Sequence, residues 1–191
     1  MLTNLRKLLL FVSLLISLLS VQGQSTGDQK IEWLTFQEAI KRNATNPKKI
    51  FIDVFTDWCG WCKRMDATTF KDSTVVMTFN KYFHAVKLDA EGNDTVVFSG
   101  YTFINPNPGG KRSTHQLAAA LLQGKMSYPS FVILDDSNRM LTTLPGFQPV
   151  ERIIPVLNFF GENNYKKMSW EQYSQKIAGQ KQMQSDPKKP E

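Results

Sequence analysis

The chain has 191 residues, a formal net charge of +6 and two cysteines. That length suits one domain with extensions, since a single core is served by about 100 to 200 residues. The positive charge is modest and contains no dense Lys/Arg run interleaved with aromatics, so nothing in it supports nucleic-acid binding.

In chain order, the N-terminus reads as a targeting element. Arg6 and Lys7 precede an apolar block from Leu8 to Leu19, and small residues from Val21 to Gly23 offer a cleavage site. Residues 1–23 are therefore expected to be a cleaved signal peptide that sends the protein to the periplasm or outside the cell. An uncleaved anchor competes with this reading, but the block has 12 residues and a spanning helix needs about 20. Residues 24–30 read as a flexible lead-in. Thr35 and Glu38 then form a capping box opening an amphipathic helix that ends before Pro47.

Residues 49–57, dense in apolar, β-branched and aromatic side chains, have the pattern of a buried central strand. The cysteine motif "DWCGWCK" follows at once, and helix is expected from Cys62 to Phe70 and again after Asp72. Residues 84–90 form a second strand. From Glu91 to Gly110 the Gly, Asn and Pro punctuation predicts an irregular excursion. Ser113 and Gln116 have capping-box spacing and open a helix closed by Gly124. Residues 130–136 and the stretch from Ser137 to Gly146 pair as a hairpin of two more strands. Pro149 takes the first position of a helix ending at Gly161, which Pro155 is expected to kink or shorten. Ser169 and Gln172 open a last helix to residue 178, and residues 179–191 read as a polar, disordered tail. The order of elements fits an α/β fold, a mixed sheet sandwiched by helices.

An exported protein meets an oxidising environment in which paired cysteines normally become structural disulfides. Cys59 and Cys62 close too small a loop to be a useful staple, because cross-link entropy grows with loop length. The pair is better suited to chemistry. Cys59 at a helix N-terminus would have its thiol pKa lowered from about 8.5 toward neutrality, making it the attacking thiolate. Cys62, one turn on, can attack a mixed disulfide at Cys59 and release the reduced substrate. Trp58 and Trp61 flank the pair, either as apolar support for a substrate chain or as local packing.

Asp53 stands in the middle of the apolar strand. Alternation puts it on the face of Phe51 and Phe55, beneath the helix carrying Cys62, where a raised pKa would let it exchange a proton with that thiol. The competing reading is a solvated strand-end aspartate. A zinc site would need four ligands, and His84 and His115 are the remaining soft candidates; both read as surface or packing histidines, so no metal and no cofactor is expected. The Tyr128–Pro129 bond, by frequency alone, is trans, since only about 5 to 6% of X–Pro bonds in folded proteins are cis.

The run "FIDVFTDWCGWCK", followed by "YPSFVILD" and "LPGF", resembles the thioredoxin superfamily, and more closely its secreted members and the C-terminal domain of the DsbD-type disulfide reductases. The resemblance spans about residues 31–160 and rests on three motifs in the family's order. It implies a thioredoxin-like fold in residues 31–178: a central mixed four- or five-stranded sheet flanked by helices, an insertion at about 91–125, and an extra C-terminal helix at about 169–178. It also implies Cys59 as nucleophile, Cys62 as resolving thiol, a buried Asp53, and a cis Tyr128–Pro129 bond beside the cysteines. Substrate would then be bound by Trp58, Gly60, Trp61, Tyr128 and Pro129.

Two departures qualify the transfer. Gly60-Trp61 replaces the family's Gly-Pro, so the redox potential does not carry over. The insertion before Pro129 is longer than the family's connection, and reads either as a lid or partner surface or as a tolerated surface excursion. The resulting expectation is a reductase of disulfide-bearing exported proteins, supplied with electrons by a membrane thiol donor. A disulfide oxidase or isomerase, or a non-catalytic protein-binding module on the same fold, are the alternatives.

Overall fold

The computed structural model describes residues 30–111 and 113–185. The expected signal peptide at 1–23 and nearly all of the lead-in at 24–30 lie outside the described residues, as does the tail beyond 185.

The architecture grows from one strand. In β2 (Lys49–Phe55) every residue but Phe55 is buried. Such a strand needs partners on both edges and cover on both faces, which explains its unbroken apolar run. It pairs in parallel with β3 (Phe83–Asp89) and antiparallel with β6 (Ser130–Leu134). β1 (Trp33–Leu34) joins the outer edge of β3 in parallel, and β7 (Met140–Pro145) closes the other side, giving a five-stranded mixed sheet ordered β1-β3-β2-β6-β7.

Alternation along β2 divides the core. Ile50, Ile52 and Val54 pack with Phe36 and Ala39 of α1 (Phe36–Thr45) and with Leu117, Ala118 and Leu121 of α4 (Gln116–Leu121). Phe51 points the other way, to Met65 of α2 (Gly60–Ala67), Val75, Val76 and Phe79 of α3 (Ser73–Tyr82), and Ile153 and Leu157 of α5 (Val150–Gly161). Its ring lies 4.8 Å from Phe79 and 5.4 Å from Phe131, centroid to centroid. Each such buried side chain contributes about 1.5 to 3 kcal/mol relative to exposure.

Several caps stand where the sequence puts them. Thr35 and Glu38 form the capping box of α1, and Asp72 Oδ1 accepts from the amides of Thr74 and Val75 to start α3. Ser169 and Gln172 exchange the two capping hydrogen bonds that open α6 (Trp170–Ser185).

Five features differ from the sequence expectations. The two-residue β1 is too short to leave a periodic signal. The excursion after Glu91 contains a hairpin, β4 (Val96–Phe98) and β5 (Tyr101–Phe103), turning through Ser99 and Gly100, both at positive φ. Two successive positive-φ residues match the twist of a two-residue hairpin. Helix α4 is capped by His115, whose Nδ1 accepts the Leu117 amide, because Ser113 Oγ is taken by the Asn105 side chain. Pro149 is the residue before α5 and not its first residue, and the helix runs through Pro155 to Gly161. Finally, α6 continues to Ser185 where a disordered tail was expected from 179. The Gln- and Lys-rich continuation favours helix once the cap has nucleated it, Gly179 being the one weak helix former.

The segment from Glu91 to Lys125 does more than cover surface. Val96, Leu117, Ala118, Leu121 and Leu122 are part of the core on the α1 side, and Phe98 meets Phe36 edge to face at 5.1 Å. Asn105 fixes its base: the side-chain amide donates to the carbonyls of Glu91 and Gly92 and to Ser113 Oγ.

Candidate redox site

The chain turns sharply where β2 ends. The Cys59 amide donates to Thr56 O at 3.1 Å, and Cys59 becomes the N-cap of α2. Its Sγ accepts the Cys62 amide at 3.1 Å, one of the backbone donors that a helix start leaves without an intrahelical partner. The two cysteines form a disulfide, with Cα atoms 5.3 Å apart. Both are nearly covered, at 4% and 2% exposure, whereas Trp58 and Trp61 beside them are 65% and 55% exposed.

The tryptophans have different neighbours. Trp58 donates its indole N–H to Glu91 at 3.0 Å and meets the Tyr128 ring edge to face at 5.8 Å. Trp61 lies 5.3 Å from the Phe147 ring, and the Arg64 guanidinium sits over both, 5.5 and 5.7 Å from their centroids. Tyr128–Pro129 is a cis peptide. The Pro129 carbonyl accepts the Gly146 amide at 2.7 Å, joining this bend to the end of β7, where Gly146 has a φ of 82° that favours glycine. Gly60 opens α2 with nothing within 4 Å of where a Cβ would stand, so packing does not require glycine there.

Asp53 is fully buried in the central strand, so it is not a solvated strand-end residue. Its register partner on β3 is Lys87, whose Nζ lies 2.7 Å from Asp53 Oδ2 and also pairs with Asp66 of α2. Aromatic rings surround the ammonium: the Trp33, Phe55 and Phe70 centroids lie 4.8, 5.1 and 5.4 Å away. Burial pushes the Asp53 carboxyl up to about 6, against the pull of Lys87, and the Asp66 charge pushes the same way as burial. Asp53 Oδ1 has no hydrogen-bond partner among the described residues, leaving one oxygen to carry a proton. A cleft of about 550 Å³ lined by Trp33, Asp66, Phe70, Lys71 and Lys87 reaches this charged group from outside.

The two histidines serve the fold. His84 Nε2 lies 2.8 Å from the Asn46 carbonyl, while His115 caps α4 and places Nε2 2.8 Å from the Asp94 carbonyl. Among the described residues no group of three or more His, Cys, Asp or Glu is placed to hold a metal ion.

The structure thus gathers Cys59, Cys62, Trp58, Gly60 and Trp61 at one end of the sheet, with Tyr128 and Pro129 beside them. Five residues that the sequence reading did not single out stand around these or around Asp53, one of them Arg64 over Trp61 and Phe147. Lys87 could have been suspected as a charge inside an apolar strand, and Phe147 stands in the quoted "LPGF". Asp66 and Glu91 look like ordinary surface carboxylates until the fold brings them in.

A family model described as "Thioredox_DsbH: Protein of unknown function, DUF255" matches residues 15–105, a span that includes the cysteine motif. A thioredoxin-fold protein from Helicobacter pylori superimposes with a TM-score of 0.53 at 15% identity, covering 82% of this chain and 91% of that one. A thioredoxin from Thermus thermophilus gives 0.50 at 15% identity, over 68% of this chain and 85% of its own. A protein described as "DsbH Oxidoreductase" gives 0.49 at 20% identity, over 72% and 89% of the two chains. Among curated proteins none matches. The likeness to the solved structures is one of fold, and that fold holds Cys59 and Cys62 close together, which supports thiol–disulfide redox activity. The chain thus has a thioredoxin-like fold, and the family model over residues 15–105 agrees with its resemblance to the thioredoxin superfamily in the sequence motifs.

Proposed function

We propose that the protein is a thiol–disulfide oxidoreductase that reduces disulfides in exported proteins. The observation that carries this reading is the placement of Cys59 as N-cap of α2, bonded to Cys62, in the helix that follows the strand burying Asp53.

In the reduced protein the α2 N-terminus stabilises a Cys59 thiolate through its backbone N–H groups and dipole. The thiolate attacks one sulfur of a client disulfide. A bond forms between Cys59 and the client, the client S–S bond breaks, and the departing thiolate takes up a proton from water. Cys62 then loses its proton toward Asp53, whose raised pKa suits it to accept one near neutrality. The Cys62 thiolate attacks Cys59 Sγ, breaks the mixed disulfide and releases the second client sulfur. Two electrons have passed to the client, and the chain is left with the Cys59–Cys62 disulfide. Trp58, Gly60, Trp61, Tyr128 and Pro129 form the surface that meets the client.

Repeated turnover needs a dithiol donor to reduce that disulfide again. In an exported protein, the location suggested by residues 1–23, the donor would be a membrane thiol protein. Direction is tested by the reduction potential: a value near thioredoxin's, about −270 mV, supports reduction, while one near DsbA's, about −120 mV, makes the protein an oxidase. Purified protein is expected to catalyse dithiothreitol-driven insulin reduction and to show accelerated alkylation of Cys59 at neutral pH. Absence of both overturns the enzymatic reading. Replacing Cys62 with Ala in the native host should trap clients on Cys59, and their identity tests whether they are exported proteins.

A further inference from the structure

The strand order sets up a charge gradient across the site. The C-terminal ends of β3, β2 and β7 and the start of β6 share one rim, because β2 runs parallel to β3 and antiparallel to β6, which in turn opposes β7. The cysteines follow β2, near the middle of that rim. On its β3 side stand Asp89 and Glu91, joined by Asp57 at the start of the motif. On its β7 side stand Phe147 and, over it, Arg64.

These charges are held in place. Glu91 is half-buried, accepts the Trp58 indole N–H, and has its own carbonyl anchored by Asn105. Its backbone amide donates to Asp89 Oδ1 at 2.9 Å, which holds the Asp89 carboxylate beside the start of the Glu91 segment. Burial raises the Asp89 pKa, and Asp57, Glu91 and Asp94 add to the rise, as expected where negative charge is concentrated. Opposite them, Arg64 is stacked on Trp61 and Phe147. Between the two ends lie two largely exposed indoles and an almost covered disulfide, a seat for an extended chain with little polar surface of its own.

We propose that this rim selects its clients by charge: the preferred disulfide-bearing segment carries a basic residue on the β3 side of the attacked sulfur and an acidic residue on the β7 side. The inference rests on the thiol–disulfide reading above and adds to it a substrate class. Fixed complementary charges steer encounter and disfavour wrong partners, and the advantage of exposed pairs fades with salt.

The test uses prereduced full-length protein and five synthetic peptides, each with one cysteine blocked as a mixed disulfide with 2-mercaptoethanol. Lys and Glu flank the cysteine in both orders, as Lys/Lys and as Glu/Glu, with a neutral peptide as reference. Each event passes two electrons from the Cys59 and Cys62 thiols to the peptide disulfide, releasing peptide thiol and 2-mercaptoethanol, and chromatography reads the peptide thiol. At low ionic strength one of the two mixed-charge peptides should outpace the neutral one by about tenfold, taking each matched exposed pair as about threefold. The opposite order should be the slowest, and high salt should compress the series.

Glu91→Gln keeps an acceptor for Trp58 while removing the charge, and should cut the preference about threefold. Arg64→Glu should move it toward the Lys/Lys peptide. Rates for the five peptides within about twofold of each other, or a preference for a peptide of uniform charge in the unaltered protein, overturn the inference while the neutral peptide is still reduced. Failure to reduce even the neutral peptide overturns the redox reading instead.

Discussion

The two faces of β2 are built from neighbouring residues and do different work. On one face Ile50, Ile52 and Val54 pack in an apolar cluster with side chains from α1, α4 and the adjacent strands. On the other, Phe51 is followed by Asp53, a carboxylate with no exposure, held to Lys87. Burying an ionisable group costs free energy that burying isoleucine does not, and one salt bridge seldom offsets it fully. The first face is apolar core, while the second combines an apolar core around Phe51 with one buried titratable group, at a cost in stability.

The sharpest way to break this division is to remove the chemistry without touching the core. Cys59→Ala should lower insulin reduction to the uncatalysed background while leaving the far-ultraviolet circular dichroism spectrum unchanged. Retained activity would end the assignment of Cys59 as nucleophile.

The second test exchanges single residues between the faces. Asp53→Asn should slow disulfide exchange at pH 7 by roughly tenfold to a hundredfold, at or below the lower end of what a positioned proton acceptor supplies. The same change should make the protein more stable at pH 7. A carboxyl raised from 3.8 to about 6 holds a proton in the folded state that the unfolded chain has released across that window. Stability therefore falls as pH rises through the window, by about 3 kcal/mol in all, and this group's contribution is gone above the folded pKa. Urea unfolding between pH 4 and 7 should show this slope in the wild type and not in the Asn variant. Ile52→Ala should do the reverse, costing about 2 to 5 kcal/mol of stability with no shift in the pH profile of activity.

A smaller effect is expected at Asn105, which ties down the segment after Glu91. Asn105→Ala removes a buried amide that serves three acceptors, and should cost about 1 to 3 kcal/mol in thermal or urea unfolding. The smallest belongs to Asp66. With Asp66→Asn, Lys87 keeps Asp53 as its one anionic partner among the described residues, so the Asp53 pKa should fall and the acid limb of the rate profile should move to lower pH. The rate at pH 7 should change by less than about threefold, the scale of one exposed charge pair.

The sequence made the cysteine-bearing segment legible where neighbours along the chain create the signal. The run from Phe51 to Lys63 carries strand, turn, cysteine pair and helix start in order, and Thr35, Asp72 and Ser169 announce their helices through local capping. One element and one cap escaped for local reasons: β1 has two residues, and the Ser113 cap failed because a buried amide eight residues upstream claimed its hydroxyl. The hairpin from Val96 to Phe103 hid within polar punctuation.

Sequence alone therefore determined the fold class, through the order of elements along the chain, and the cysteine pair and the aspartate in an apolar strand, through spacing along one segment. Tertiary structure decided what surrounds them. Lys87 meets Asp53 through strand register, and Asp66 reaches Lys87 because α2 packs over that face. Glu91 and Arg64 come to opposite sides of the disulfide because the sheet places β3 and β7 on either side of it. Contacts between residues far apart in the chain leave no periodic trace in it, and only the folded sheet brings their charges to one site.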